Sequence, residues 1–428
     1  QEAGLRLELY NLQEAVQQSG GNYKAALARG NRLLEDRLRF RQQTAAQIQQ
    51  YRYKDMAFRI FRNDALQKYR AQFDLAAMYV YLAAKAYDYE TNLREGDPRR
   101  PGQDFLTQIM RARTIGLIQN QRPVINTGNG DGGLTDAMAR MSDTWVNNLK
   151  GPLGFENPSL QTGRFSMRSE LFRIQGGSAG NALWRETLRQ HVVSNLLVLP
   201  EFQRYCVPFV DPPYQQQEPA IVIPFSTTVT WTENLFGWPA GGGDNNFDVT
   251  SFATKVRAAG IWFANYNNLY GSGMINTPRV YLVPVGSDVM RTPRRFAGDT
   301  SVIREWKLLD QLLPLCTAIV PGDLSGQDWM PITDTLNGTL AEIRRFGFML
   351  AYHDAGFNQS QITSSSRLIG RSVWNTRWLL IIPGGSLHSD RQEGLARFID
   401  GPLVGGQRTG NGVTDIKLYF QTYAFPNN

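Results

Sequence analysis

Few residues in this chain have the types and spacing to do chemistry. It has three histidines, His191, His353 and His388. His353 followed by Asp354, and Ser386 with His388 and Asp390, supply the residue types of a hydrolytic triad. Residues two apart on a strand share a face without the geometry of nucleophile, base and orienter. PGGSLHSD around Ser386 also lacks the glycine-flanked elbow that exposes a catalytic serine. It reads as a polar loop between a strand and a helical turn, so no enzyme and no catalytic residue are expected. No pair of histidines has the spacing of a zinc site.

Three glycine-rich stretches, TGNGDGG at 127–133, GWPAGGGDNNFD at 237–248 and GGQRTGNGVTD at 405–415, resemble phosphate cradles only in composition. None carries the Gly-Lys-Ser/Thr step that brings a lysine to a phosphate. Asp131, Asp244 and Asp248 are hard oxygen donors of the kind calcium takes, but no stretch has the alternating Asp ladder with its closing Glu. No cofactor is therefore expected, calcium being the one ion these loops leave open. Cys206 and Cys316 sit in no Cys-x-x-Cys motif, and a disulfide and two buried thiols both remain compatible with the sequence.

Aromatics are the remaining signal. Trp231, Trp238, Trp262, Trp329, Trp374 and Trp378 could line a sugar-binding face or fill a core. Trp262 and Trp378 lie in apolar runs and are expected inside; Trp238 lies in a Gly/Pro loop and is the expected exposed contact. In the closing strand DIKLYFQTYAF, Ile416, Leu418 and Phe420 fall on one face and Tyr419, Tyr423 and Phe425 on the other. Both faces should be covered, and Tyr419 and Tyr423 are expected to meet a partner.

The elements that must position these residues come in two materials. From Asn31 to Leu93 there is neither Gly nor Pro, and a single helix of that length would reach about 95 Å. Leu66, Tyr69, Phe73, Ala76, Val80, Ala83 and Tyr87 recur at steps of three and four, a heptad seam for oligomerisation. Continued backwards, the seam meets Arg62, Arg59, Arg52 and Arg41 among Ile48, Ala45, Leu38 and Leu34, placing those arginines toward solvent, acids of a partner helix, or a wet lumen. Gly4 to Gln18 reads as a helix closed by the SGGN turn at 19–22, giving a helical hairpin. REGDPRRPGQD at 94–104 ends the long helix, and shorter helices are expected near 104–119 and 134–150.

From 161 onward the chain reads as short strands between Gly, Pro, Asn and Asp loops, with one inserted helix near 179–203 stopped by Pro200. The predicted architecture is α+β: a long coiled-coil-like helical hairpin over 1–93, a connection of shorter helices over 94–160, and an antiparallel β-sandwich over 161–428. Pro224 and Pro284 should sit at edges or bulges. The net charge of +7 over 428 residues is mild and no Lys/Arg block occurs, so nucleic acid is not an expected partner. No run of about 18 apolar residues marks a transmembrane helix. The start, QEAGLRLELYNLQEAV, reads as helix already, with no initiator Met and no signal peptide, as expected of a piece of a longer polypeptide.

The helix containing LAAMYVYLAAKAYDYE, the strand TRWLLIIPGG and the ending GVTDIKLYFQTYAF together resemble the C-terminal part of the A subunit of Tc toxin complexes, at Tyr87, Asp88, Tyr89, Glu90, Trp378, Thr414, Asp415, Ile416 and Leu418. The resemblance covers the two ends of the chain better than its middle. It implies a homo-oligomer, a pentamer in that family, whose long helices form a translocation channel and whose sandwich docks a partner subunit. The GGGDNN insertion, the segment 94–160 and the absence of a membrane-piercing tip depart from it. The expected function is thus a non-enzymatic assembly region of a large secreted or cell-surface bacterial protein. The alternative is an adhesive or carbohydrate-binding module on a helical stalk.

Overall fold

The computed structural model describes residues 2–52, 56–99, 102, 118–119, 122–123, 134–208, 217–230, 233–239, 251–270, 273–296, 298–307, 346, 348–353 and 368–426. The chain divides into two compact units, 1–76 and 77–428, earlier than the boundary expected after residue 93.

The first unit is helix. α1 (Glu2–Arg52) runs unbroken through Ser19, Gly20, Gly21 and Asn22, so the expected turn there does not form. Each interior glycine costs about 1 kcal/mol against alanine, but helix formation is cooperative, and the Ala-, Gln-, Leu- and Arg-rich turns on both sides carry the helix across. The second helix, α2 (Met56–Thr91), does not pack along α1 among the described residues, and the coiled-coil hairpin is not formed. No described side chain of α1 is buried. The seam expected on α2 divides as well. Leu66, Tyr69 and Ala76 are exposed and Phe73 half-buried, with Tyr69 and Phe73 rings 6.0 Å apart. In the second unit Val80 is buried together with Ala77 and Ala84, while Ala83 and Tyr87 are half-buried, all covered by this same chain.

The second unit is built on one mixed sheet where two packed antiparallel sheets were expected. After the short pair β1 (Ile118–Gln119) and β2 (Arg122–Pro123) comes helix α3 (Leu134–Thr144). The sheet strands are β3 (Ser159–Ser166), β4 (Val192–Val193), β5 (Ala220–Phe225), β6 (Phe252–Ala264) and β7 (Arg279–Pro284), joined by three late strands. Between them lies the side hairpin β8 (Asp288–Arg291) and β9 (Ile303–Trp306). The late strands are β10 (Met349–Tyr352), β11 (Trp378–Pro383) and β14 (Asp415–Phe425), the last preceded by the hairpin β12 (Leu403–Val404) and β13 (Gln407–Arg408). Their order across the sheet is β3-β14-β6-β10-β7-β11-β5-β4, and β6 pairs with β10 in parallel.

Strand periodicity reports which residues are buried, not which strands pair, and helices rather than a second sheet supply part of the cover. α4 (Ser178–Gln190) contributes Trp184 and Leu188 to the main core, and α6 (Arg391–Asp400) contributes Leu395, Phe398 and Ile399. Phe398 meets Phe263 of β6 edge to face at 4.9 Å. Pro200 does not stop a helix but opens one, α5 (Pro200–Tyr205), because proline at the first helical position gives up only an N–H that has no partner there. Pro224 faces outward where β4 no longer pairs, since β4 reaches only Ile221 and Ala220, and Pro284 ends β7. Gly405 and Gly406, at φ 59° and 82°, form the two-residue turn between β12 and β13 that only such residues make cheaply.

Candidate functional site

Among the described residues, the densest polar constellation is a buried joint between the end of α2 and the sheet. The YDYETN segment supplies it. Tyr89 reaches the Asp288 carboxylate at the start of β8, its hydroxyl 2.7 Å from Oδ2. Arg371 donates to both carboxylate oxygens, Nε to Oδ2 and Nη2 to Oδ1, each at 2.8 Å. Asn375 Nδ2 donates to Oδ1 at 2.7 Å and the Ser372 amide to Oδ2 at 3.2 Å. All five residues are buried, and the bidentate fork is the geometry in which a carboxylate and guanidinium best repay their lost hydration. Burial works against the charge of Arg371, but Asp288 outweighs it and holds the guanidinium pKa above its ordinary value. Burial, reinforced by Asp288, pushes the Tyr89 phenol well above its usual range, so it stays a neutral donor.

A second charge pair flanks the first. Lys255 of β6, fully buried, donates to Glu90 Oε2 at 2.7 Å and to the Glu90 carbonyl at 3.1 Å, with its ammonium 5.1 Å above the Tyr89 ring. Asn92 takes a left-handed backbone, φ 48°, that ends the helix, and its amide donates to the Arg291 carbonyl at 2.7 Å. The Trp306 indole donates to Asn92 Oδ1 at 2.9 Å. Around these polar groups Tyr89 and Leu93 pack with Leu149, Leu153, Phe252, Met290, Tyr423 and Phe425 in a second core. The arrangement is enclosed and fully hydrogen-bonded at Asp288. Its chemistry is that of a rigid attachment, locking the last turns of α2 to β6, β8 and β14.

Of the residues expected at a site, the structure brings few together. Tyr423 is buried in the second core, and Tyr419 packs against Trp262 at 6.0 Å, so this chain covers both tyrosines expected to meet a partner. The reason is that β14 lies between β3 and β6 with both faces enclosed. Trp238 is 47% exposed, as its loop suggested. Trp262 and Trp378 are buried. The triad types do other work: Ser386 Oγ donates to the Pro383 carbonyl at 2.8 Å, His388 Nδ1 accepts from the Asp390 amide at 2.9 Å, and the Asp390 carboxylate caps α6. His353 Nε2 lies 2.6 Å from the Asn276 carbonyl, and His191 Nδ1 2.7 Å from that of Thr187. Asp131, Asp244, Asp248, Asp354, Trp231, Trp329 and Cys316 lie outside the described residues, and Cys206 is buried. Among the described residues no helix is long and apolar enough to cross a membrane and no acid, His and Cys cluster suits a metal.

Asp288 escaped the sequence reading because it stands far in the chain from Arg371 and Asn375, and none of the three belongs to a motif. The signal for their partner was present in the paired Tyr and acid residues closing a helix. No protein-family model, curated protein or solved structure matches the chain. A functional reading therefore rests on residues and geometry.

Proposed function

We propose that this chain is a non-catalytic assembly region of a large secreted bacterial protein, in which the helices of the first unit associate with copies of themselves. One observation carries this reading. On α1, Leu12, Val16, Tyr23, Leu33 and Phe40 all lie in the open, Leu12 62% and Phe40 68% exposed. They share one heptad frame, with Ser19, Ala26, Gly30 and Arg37 at the intervening positions. Leu27 and Leu34 widen the stripe. An isolated helix is marginal in water, and an apolar stripe of this length on an unpacked one fits a helical partner.

Copies of the same chain are the natural partner, because the frame is self-complementary. Asp36 and Arg41 flank it at the two positions that face each other between parallel in-register helices. On α2 the exposed Leu66 and Tyr69 extend the apolar surface. Under this reading the sheet of the second unit is the docking module, as the Tc-toxin resemblance implies, and the joint at Asp288 keeps the last turns of α2 fixed to it.

Sedimentation velocity on the whole chain and on a Leu12→Asp, Phe40→Asp variant tests the reading. Both side chains are exposed, so the variant should keep the far-UV and near-UV spectra of the second unit and sediment as a smaller species. An unchanged sedimentation coefficient would remove α1 as the associating element.

A further inference from the structure

The apolar stripe of α1 is interrupted by charge. Between Lys24 and Arg41 the helix carries six cations, Lys24, Arg29, Arg32, Arg37, Arg39 and Arg41, against two acids, Glu35 and Asp36. Lys24, Arg32 and Arg39 fall on the side of the helix away from the stripe, where association leaves them in water. Arg37 and Arg41 do not. Arg37 stands in the heptad frame itself, four residues after Leu33 and three before Phe40, and Arg41 follows Leu27 and Leu34 at seven-residue steps. One turn apart, the two are neighbours on the face that meets a partner, and in the single chain both are exposed.

Association of copies removes that water. Between parallel in-register helices, Asp36 of one copy faces Arg41 of the next and borders its Arg37. One carboxylate per copy therefore serves two guanidiniums, and each copy brings one surplus cation into the same layer. Drawing like charges together inside an apolar seam is costly, and salt screens them there less than in open water. A multivalent oxyanion in the layer relieves the cost, because its oxygens accept the paired N–H groups of arginines from more than one copy at once. A lipid surface would also neutralise the cations, but it would have to bury the face in whose middle they stand.

We infer that Arg37 and Arg41 form a binding site for a phosphate-class anion between associated copies, so that helix association depends on the anion. The inference rests on the proposed self-association of α1 and adds a means of regulating it. Arg37 is the residue that decides it, since without Arg37 the Asp36 and Arg41 charges balance.

The test is sedimentation equilibrium on the whole chain at a fixed ionic strength of about 0.15 M, with and without millimolar inorganic pyrophosphate, for wild type, Arg37→Leu and Asp36→Asn. Both substituted positions are exposed in the single chain, so the near-UV spectrum of the second unit should not change. Pyrophosphate should tighten wild-type association about tenfold or more. Arg37→Leu should associate more tightly than wild type in the absence of pyrophosphate and should not respond to it. Asp36→Asn raises the surplus to two cations per copy, and should associate more weakly without pyrophosphate and respond to it more strongly. Wild-type chains that associate equally tightly in both buffers would overturn the anion site while leaving helix association standing, as would a response that Arg37→Leu keeps in full. A single-chain mass in both buffers would overturn the anion site and the association together.

Discussion

Asp288 gathers a dense set of partners, with Arg371, Tyr89, Asn375 and the Ser372 amide all directed at one carboxylate. Breaking such a pair from one side strands the other charge in the interior. Asp288→Asn and Arg371→Met should each cost about 3–5 kcal/mol in urea unfolding, and Tyr89→Phe about 1–3 kcal/mol through the hydrogen bond alone. A loss near zero for Asp288→Asn would mean that the joint is not closed to water. Glu393 gives a pH signature. Hydrogen bonds from Arg408 and then Arg397 lower its pKa from 4.5 to about 2. A folded pKa below the unfolded one gives stability that is present above about pH 4.5 and lost as the pH falls toward 2. Thermal melts across that window should show an acid limb that Glu393→Gln flattens.

At the scale of elements, Gly20 and Gly21 of α1 decide between readings. Ser-Gly-Gly-Asn has the local chemistry of a turn, and yet a Cβ added at Gly20 or Gly21 would meet nothing and both lie inside the helix. Gly20→Ala and Gly21→Ala should each stabilise α1 by about 1 kcal/mol, read as a higher helical melting midpoint by circular dichroism. A drop in helicity would show that a turn is needed there after all. The same contrast explains what was legible. β14 was readable to within its full length because its alternating residues are apolar on both faces, and burial alone reveals that. The pairing of β6 with β10 in parallel was not, because their register depends on contacts between segments far apart in sequence. RLIGRSV at 367–373 reads as a strand, but Leu368 to Gly370 form a turn, with Gly370 at φ 81°, and that turn places Arg371 over Asp288. A strand-like composition there conceals a residue chosen for its charge.

For the whole molecule, the two units differ in how they satisfy their apolar residues. The second builds two cores of its own, from Trp184 and Trp378 in the main core to Tyr89 and Phe425 at the joint. The first leaves Leu12, Val16, Leu33, Phe40 and Tyr69 in water. A chain that builds cores in one unit and leaves the described apolar side chains of the other's helix uncovered is what an assembling helix attached to a folded module requires. The most direct check is the mass of the wild-type chain in solution, by sedimentation equilibrium across a range of concentrations reaching the micromolar. The account predicts a discrete multiple of the chain mass that falls toward one chain on dilution. A single-chain mass at every concentration would contradict it.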